Sequence, residues 1–348
     1  MKLRTQPRTQ PRTIAKSLAT AGGVALFALV ALFFYGQLTY SSSYLLLPDS
    51  PHPLEQVVKV KKAKKDDKGG FYFVDVVERR ATLSERYLSF LRRDATLVSE
   101  QDVGRSNISD KERARLDAAA MNQSKKIAEA VALRHLGYKV VIRLRGALVD
   151  GTEDGSPASK KLRQGDRITA VDGVTAPSNA RVIALISRRR VGERVRITFS
   201  RKGVQHTVAL RTVASPYEAR ASFIGVSIRQ AATLKLPIEV KIDAGNVGGP
   251  SAGLAFALEL TDKLGRDIDR GFRVAATGEL FLDGSVHAIG GVKEKVIGAR
   301  RAGIEIMLVP VDGDNAKDAR RYAGNMKIIP VTSFQQALHA LATAELRH

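Results

Sequence analysis

The 348 residues include no cysteine and no tryptophan. Without cysteine the chain can hold no disulfide framework, no thiol nucleophile and no Cys-ligated zinc, so any nucleophile has to come from another side chain. No Gly-Lys-Ser or Gly-Lys-Thr occurs, which excludes a P-loop and a built-in nucleotidase, and His-Glu-x-x-His, the commonest metalloprotease signature, is missing as well. Neither a cofactor nor a metal is expected. Acids are scarce beside bases, 35 against 56, which leaves a formal charge of +21. A surplus of that size ordinarily suggests nucleic acid or an anionic membrane surface.

What is present is a chain 44% apolar and 26% charged, globular by composition and long enough for two cores. The surplus of bases is unevenly placed. Residues 1–37 carry five cations and no acid, residues 136–213 carry 16 cations against 6 acids, and residues 214–348 carry 17 against 15. Charge confined to one tail and one middle segment argues against a nucleic-acid partner.

Residues 1–16 are polar, basic and Pro-punctuated, and a disordered tail is expected there. From Ser17 to Pro48 no residue is charged, and Leu18 to Tyr35 is almost wholly apolar. About 20 such residues span a bilayer as a helix. Residues 17–37 are therefore expected to be an uncleaved, single-pass transmembrane anchor, the alternative being a removed signal peptide. Lys2, Arg4, Arg8, Arg12 and Lys16 precede the span, and no cation follows it until Lys59. By the positive-inside rule the tail lies in the cytoplasm and everything after residue 40 is extracytoplasmic. Residues 38–135 are expected to form a connecting α/β region, with strands over 57–60 and 71–77 and helical spacing over 84–135. No chemistry is legible in that stretch.

Residues 136–213 alternate strand-like runs with one helical stretch, Ser178 to Arg189, which predicts a small capped barrel. Gly155-Ser156-Pro157-Ala158, Leu162-Arg163-Gln164-Gly165-Asp166-Arg167-Ile168 and Val171-Asp172-Gly173 resemble the core signature of bacterial PDZ domains. The resemblance implies binding of extended chain ends beside a strand, with backbone N–H groups on the terminal carboxylate. Leu136-Gly137-Tyr138 is the candidate carboxylate loop. Arg188-Arg189-Arg190 suits the negative end of the helix dipole.

The sharpest feature is Asn246-Val247-Gly248-Gly249-Pro250-Ser251-Ala252-Gly253, between a strand pattern at Ile238–Asp243 and a helix marked by Leu254, Leu258 and Phe256, Leu260. Pro250 suits a first helical turn, which puts Ser251 at the helix N-terminus, where N–H groups and the dipole stabilise an oxyanion. Alone, such a serine reads as an N-cap. A second segment changes the reading. In Gly290-Gly291-Val292-Lys293-Glu294-Lys295-Val296, helical spacing puts Lys295 in the stripe with Val292, Val296 and Ala299, while Lys293 and Glu294 point elsewhere. Apolar surroundings push a lysine toward its neutral form, which can act as the general base a serine hydroxyl needs.

Residues 246–253, Ala276-Thr277-Gly278-Glu279-Leu280 with Asp283-Gly284, and Ile289 to Lys295 together resemble the proteolytic domain of Lon-type serine proteases, from about Phe223 to the end. The resemblance implies a Ser251–Lys295 dyad, Thr277 hydrogen-bonded to the lysine, and Gly249 and Pro250 as catalytic support, with Gly249 standing where many relatives have Asp. The expected architecture is α+β and multidomain: a transmembrane helix, a PDZ-like small β-barrel over 136–213, and a Lon protease-like α/β domain over 214–348. The expected activity is that of a membrane-anchored, ATP-independent serine endopeptidase acting on extracytoplasmic protein or peptide substrates. A homo-oligomer is implied by the resemblance alone. Two other readings stay open: an inert PDZ scaffold, and an α/β-hydrolase esterase built on Gly-x-Ser-x-Gly with His287 or His339.

Overall fold

The structure is a computed structural model that describes residues 11–61, 69–100, 109–216, 221–265 and 267–345. Most of the expected tail, residues 1–10, lies outside these; from Pro11 the chain is already helical, a position proline favours at a helix start. Helix α1 runs Pro11–Leu38 and contains the expected anchor. Val24, Leu26, Phe27, Leu32 and Phe34 are all exposed along it. Among the described residues no helix is long and apolar enough to cross a membrane.

The chain divides into two compact units, one made of residues up to Ala128 together with Lys241 onward, the other of Glu129–Val240. The expected connecting region therefore shares a unit with the C-terminal part. In that first unit a five-stranded sheet has the order His52–Pro53, Gly70–Phe73, Arg273–Ala276, Ile306–Pro310, Lys327–Val331. The last four run parallel, and Gly70–Phe73 pairs Arg273–Ala276 with Phe73 opposite Ala276. No local pattern announces that pairing, because some 200 residues separate its partners. Ile306–Pro310 is buried throughout, as the inner strands of parallel sheets are.

A second, antiparallel sheet has the order Val76–Thr82, Tyr40–Pro48, Thr96–Val98. The single run expected over 71–77 is thus two strands, with the chain passing from one sheet to the other at Val74-Asp75. Short helices α2 (Leu54–Val57) and α3 (Leu83–Leu88) flank these strands, and α4 spans Asp110–His135. Later helices α6 (Gly253–Leu264), α7 (Val292–Arg301), α8 (Asn315–Tyr322) and α9 (Phe334–Ala342) pack on the parallel sheet. Val292, Val296 and Ala299 of α7 join Ala275, Met307 and Val309 in one core with Ala316 and Ala319 of α8. The opposite side of α7 is covered too. Its Gly298 lies so near the Asp49 carbonyl that a Cβ would come within 2.1 Å of the oxygen, and Glu294, expected to point away, is 1% exposed and accepts a hydrogen bond from Thr96 Oγ1.

The second unit holds a sheet in the order Val204–Arg211, Arg194–Arg201, Arg167–Val171, Val141–Thr152, Val226–Lys235, with Val174–Thr175 beside Arg167–Val171. Helix α5 (Asn179–Ser187) is capped by Ser178, whose hydroxyl accepts from the Arg181 N–H. The motif residues explain themselves: Asp166, 1% exposed, takes two 2.7 Å bonds from Arg201, and Asp172 adopts φ +50° and accepts from the Arg196 N–H. Val226–Lys235 differs from expectation, since it falls in the segment assigned to the C-terminal domain yet pairs along Val141–Thr152 from Val226 opposite Thr152 to Lys235 opposite Val141.

Candidate active site

Four segments converge at the carboxyl ends of the parallel strands, the usual location of sites in such sheets. Thr277 directly follows Arg273–Ala276, and Asp75 stands two residues beyond the end of the neighbouring Gly70–Phe73. Ser251 arrives on the loop after strand Val240–Ile242, and Lys295 on the first turn of α7.

The Lys295 Nζ donates to Ser251 Oγ at 3.0 Å and to Thr277 Oγ1 at 3.5 Å. Thr277, fully buried, donates its hydroxyl to the Ser251 carbonyl at 3.3 Å, and the Gly278 N–H reaches the same oxygen at 2.8 Å. One threonine thereby holds both the backbone of the serine and the amine of the lysine. Lys295 is 4% exposed. Burial pushes its pKa down to about 8, while the charges of Asp75 and Glu294 act in the opposite direction. The apolar stripe that predicted this lysine's burial packs into the core, and α7 also packs against the N-terminal strand Tyr40–Pro48.

The serine loop differs from expectation in detail. Helix α6 begins at Gly253, so Pro250 lies outside it, and the Pro250 carbonyl accepts from the Gly253 N–H at 3.3 Å and from Ser124 Oγ at 3.0 Å. The Gly249 N–H donates to the Asp117 carbonyl at 3.0 Å. Helix α4 thus latches the loop at two points, one on each of the expected supporting residues.

Sequence reasoning missed the acid side of the site. Asp75 Oδ1 lies 3.2 Å from His52 Nε2, and this hydrogen bond raises the imidazole's pKa. The His52 ring stacks on Phe73 at 4.6 Å. Asp49, His52, Asp75, Asn246, Ser251 and Lys295 all line one cleft of about 850 Å³. The only signal was one carboxylate interrupting the apolar run Phe71-Tyr72-Phe73-Val74-Asp75-Val76-Val77. Asp49, His52 and Asp75 also bring three possible metal-ligand atoms within 4.8 Å of one another, as do Asp262, Asp267 and Asp269.

Of the histidines weighed for an esterase, His287 meets Ser285 Oγ at 3.0 Å and Asp312 at 3.5 Å, and His339 belongs to α9. Leu136-Gly137-Tyr138 is a helix stop: the Tyr138 N–H bonds the Leu133 carbonyl and the Gly137 N–H that of Arg134, with Gly137 at φ +83°. The strand after it has neighbours on both sides, so no chain end can add there. The end strands of that sheet are Val204–Arg211 and Val226–Lys235.

Residues 202–344 match the family model of the Lon protease (S16) C-terminal proteolytic domain, and residues 131–212 match that of the PDZ domain. The N-terminal segment that completes the first unit lies outside both. The chain is similar to the Lon protease of Xanthomonas oryzae pv. oryzae, 36% identical over 128 residues, which cover 36% of this chain and 15% of that protein. It is similar to the Lon protease of Azorhizobium caulinodans, 32% identical over 189 residues, 53% of this chain and 20% of that one. Among solved structures, the PDZ domain of the SdrC-like protein (Lmo2051) from Listeria monocytogenes matches at 26% identity over 24% of this chain and 87% of that one, with a TM-score of 0.23. Two segments of the chain thus match known domain families, a PDZ domain and the Lon protease C-terminal proteolytic domain, and the second match supports a serine peptidase.

Proposed function

We propose that this chain is a serine endopeptidase that works without ATP, with Ser251 as nucleophile and Lys295 as general base. The observation that carries this reading is the 3.0 Å contact between a serine hydroxyl and a buried amine in an open cleft. Neutral Lys295 takes the Ser251 proton as Oγ attacks the scissile carbonyl. The resulting ammonium returns that proton to the leaving amine as the peptide bond breaks, and the acyl group stays on Ser251. Water then attacks the ester, Lys295 again serving as base, and the hydroxyl is regenerated. Thr277 positions both partners. The Gly249 N–H serves as an oxyanion donor only after leaving the Asp117 carbonyl.

With no P-loop in the chain, the substrate class is flexible or already unfolded protein. Recruitment falls to the second unit, where an extended segment adds as a strand beside the end strand Val226–Lys235. Although no helix among the described residues is long and apolar enough to cross a membrane, we assign residues 17–37 as a membrane anchor with residues 1–16 on the cytoplasmic side, on the sequence alone: the uncharged stretch from Ser17 to Pro48 and the cations before it. Incubating the full chain in detergent with an unfolded protein and no nucleotide tests the activity. Cleavage lost in Ser251→Ala is expected; cleavage that persists in that variant, or that requires ATP, overturns it.

A further inference from the structure

The first unit exposes aromatic and apolar side chains beside the end of α1. Helix α3 and the single 3-10 turn Ser89–Leu91 that follows it leave Tyr87 74%, Phe90 73% and Leu91 66% exposed. This segment is pinned to α1. Ser84 Oγ donates to the Phe33 carbonyl at 3.3 Å, and the Leu83 N–H donates to the Thr39 carbonyl at 2.8 Å. Gly36 permits the approach, since a Cβ there would stand 2.5 Å from Ser84 Oγ. Phe33, Phe34, Tyr35 and Leu38 are exposed on the adjoining turns of α1. Isolated exposed apolar residues are ordinary, whereas a contiguous group of aromatics marks a contact surface.

Charge identifies the occupant. Arg86, Arg92 and Arg93 are exposed in the same segment. Its two acids are already engaged: Glu85 pairs with Arg79 and, at 3.5 Å, with Arg92, and closes the capping box on Thr82, while Asp94 accepts from Arg301 at 2.9 Å and lies 4.0 Å from Arg92, which leaves Arg86 and Arg93 as the cations free of them. Aromatic rings and cations at the mouth of an apolar helix are the composition of a membrane interface, where rings sit at headgroup level and bases meet anionic lipid.

We infer that Tyr87 to Arg93 is a second membrane-contact site, seated in the headgroup layer of an anionic bilayer beside the exit of α1. This rests on the reading of α1 as an anchor. Because the chain has no tryptophan, one introduced indole reports its surroundings without background. The full chain is reconstituted into phosphatidylserine and phosphatidylcholine vesicles whose acyl chains carry bromine either near the carbonyl or near the chain end. Phe90→Trp reports the patch, and Phe27→Trp independently reports α1. The proposal expects Phe90→Trp fluorescence to fall at least twofold with the shallow bromines and less with the deep ones, and the reverse for Phe27→Trp. Adding Arg86→Gln and Arg93→Gln is expected to reduce the Phe90→Trp quenching in anionic vesicles.

Quenching of Phe27→Trp without quenching of Phe90→Trp overturns the patch and leaves the anchor standing. Quenching of Phe90→Trp alone overturns the anchor and keeps the patch, and quenching of neither overturns both. A blue-shifted, unquenched Phe90→Trp whose emission depends on protein concentration assigns the surface to a second copy of the chain and overturns the proposal. Retained substrate cleavage shows that each variant is folded.

Discussion

Lys295 Nζ lies 3.0 Å from Ser251 Oγ across 44 residues of sequence, and neither side chain reaches the other through its own segment. Their meeting depends on Thr277, which donates to the Ser251 carbonyl and accepts from the Lys295 amine. Thr277→Val keeps the shape and removes both bonds. It is expected to lower kcat by about 100-fold with little change in KM, the size of effect that misplacing a reacting group produces. Thr277→Ser should restore most of the rate. A loss in Thr277→Ser with none in Thr277→Val would show that the methyl group, not the hydroxyl, matters.

The base must be neutral to act, and the Lys295 pKa is pushed down to about 8. Below that value the ammonium dominates, so kcat/KM rises with pH and levels off above about 8. The Asp75 charge favours the ammonium. Asp75→Asn therefore moves the rising limb to lower pH and raises activity near neutrality. A pH profile unchanged by Asp75→Asn contradicts the coupling, and a limb that follows His52 rather than Lys295 would assign the base elsewhere.

The same burial predicts a stability effect. An unfolded lysine titrates at its ordinary 10.5 and the folded one at about 8, so between these values the unfolded chain binds more protons and stability rises with pH. Below about 8 the full penalty is present. Lys295→Met removes it and should raise the unfolding free energy by up to about 3 kcal/mol at pH 7, with the gain shrinking toward pH 10.5. Urea unfolding at several pH values checks this, and a gain independent of pH contradicts it.

Gly298 tests whether the N-terminal segment belongs to the catalytic unit. A Cβ there would strike the Asp49 carbonyl, which is backbone and cannot swing aside. Gly298→Ala is expected to cost about 1–3 kcal/mol, as overpacking does, and to lower activity by displacing α7. Wild-type melting and activity would show that residues 40–98 are a separate covering.

Ser251 and Lys295, the proposed nucleophile and base, were legible because each belongs to a short motif at the start of a helix whose spacing reveals its buried face. Lys295 shared its stripe with Val292, Val296 and Ala299, and that stripe is buried in the structure. The turns at Gly165-Asp166 and Asp172-Gly173 were legible for the same local reason. What sequence could not supply was contact across distance. The pairing of Gly70–Phe73 with Arg273–Ala276 makes residues 38–98 part of the site's unit, and only that pairing brings Asp75 and His52 to the cleft. The pairing of Val226–Lys235 with Val141–Thr152 is likewise a contact between distant segments that no local pattern announces. Leu136-Gly137-Tyr138 misled because a glycine that ends a helix and one that opens a carboxylate loop look alike out of context.

Labelling with a fluorophosphonate, which reacts only with an activated serine, tests the dyad most directly. With the full chain at pH 8, the adduct is predicted on Ser251 and nowhere else. Lys295→Ala should slow labelling by about 1000-fold or more, in line with the interdependence of a nucleophile and its base, while His287→Ala and His339→Ala label at the wild-type rate. No adduct on Ser251, or labelling that Lys295→Ala leaves unchanged, would contradict a Ser251–Lys295 dyad.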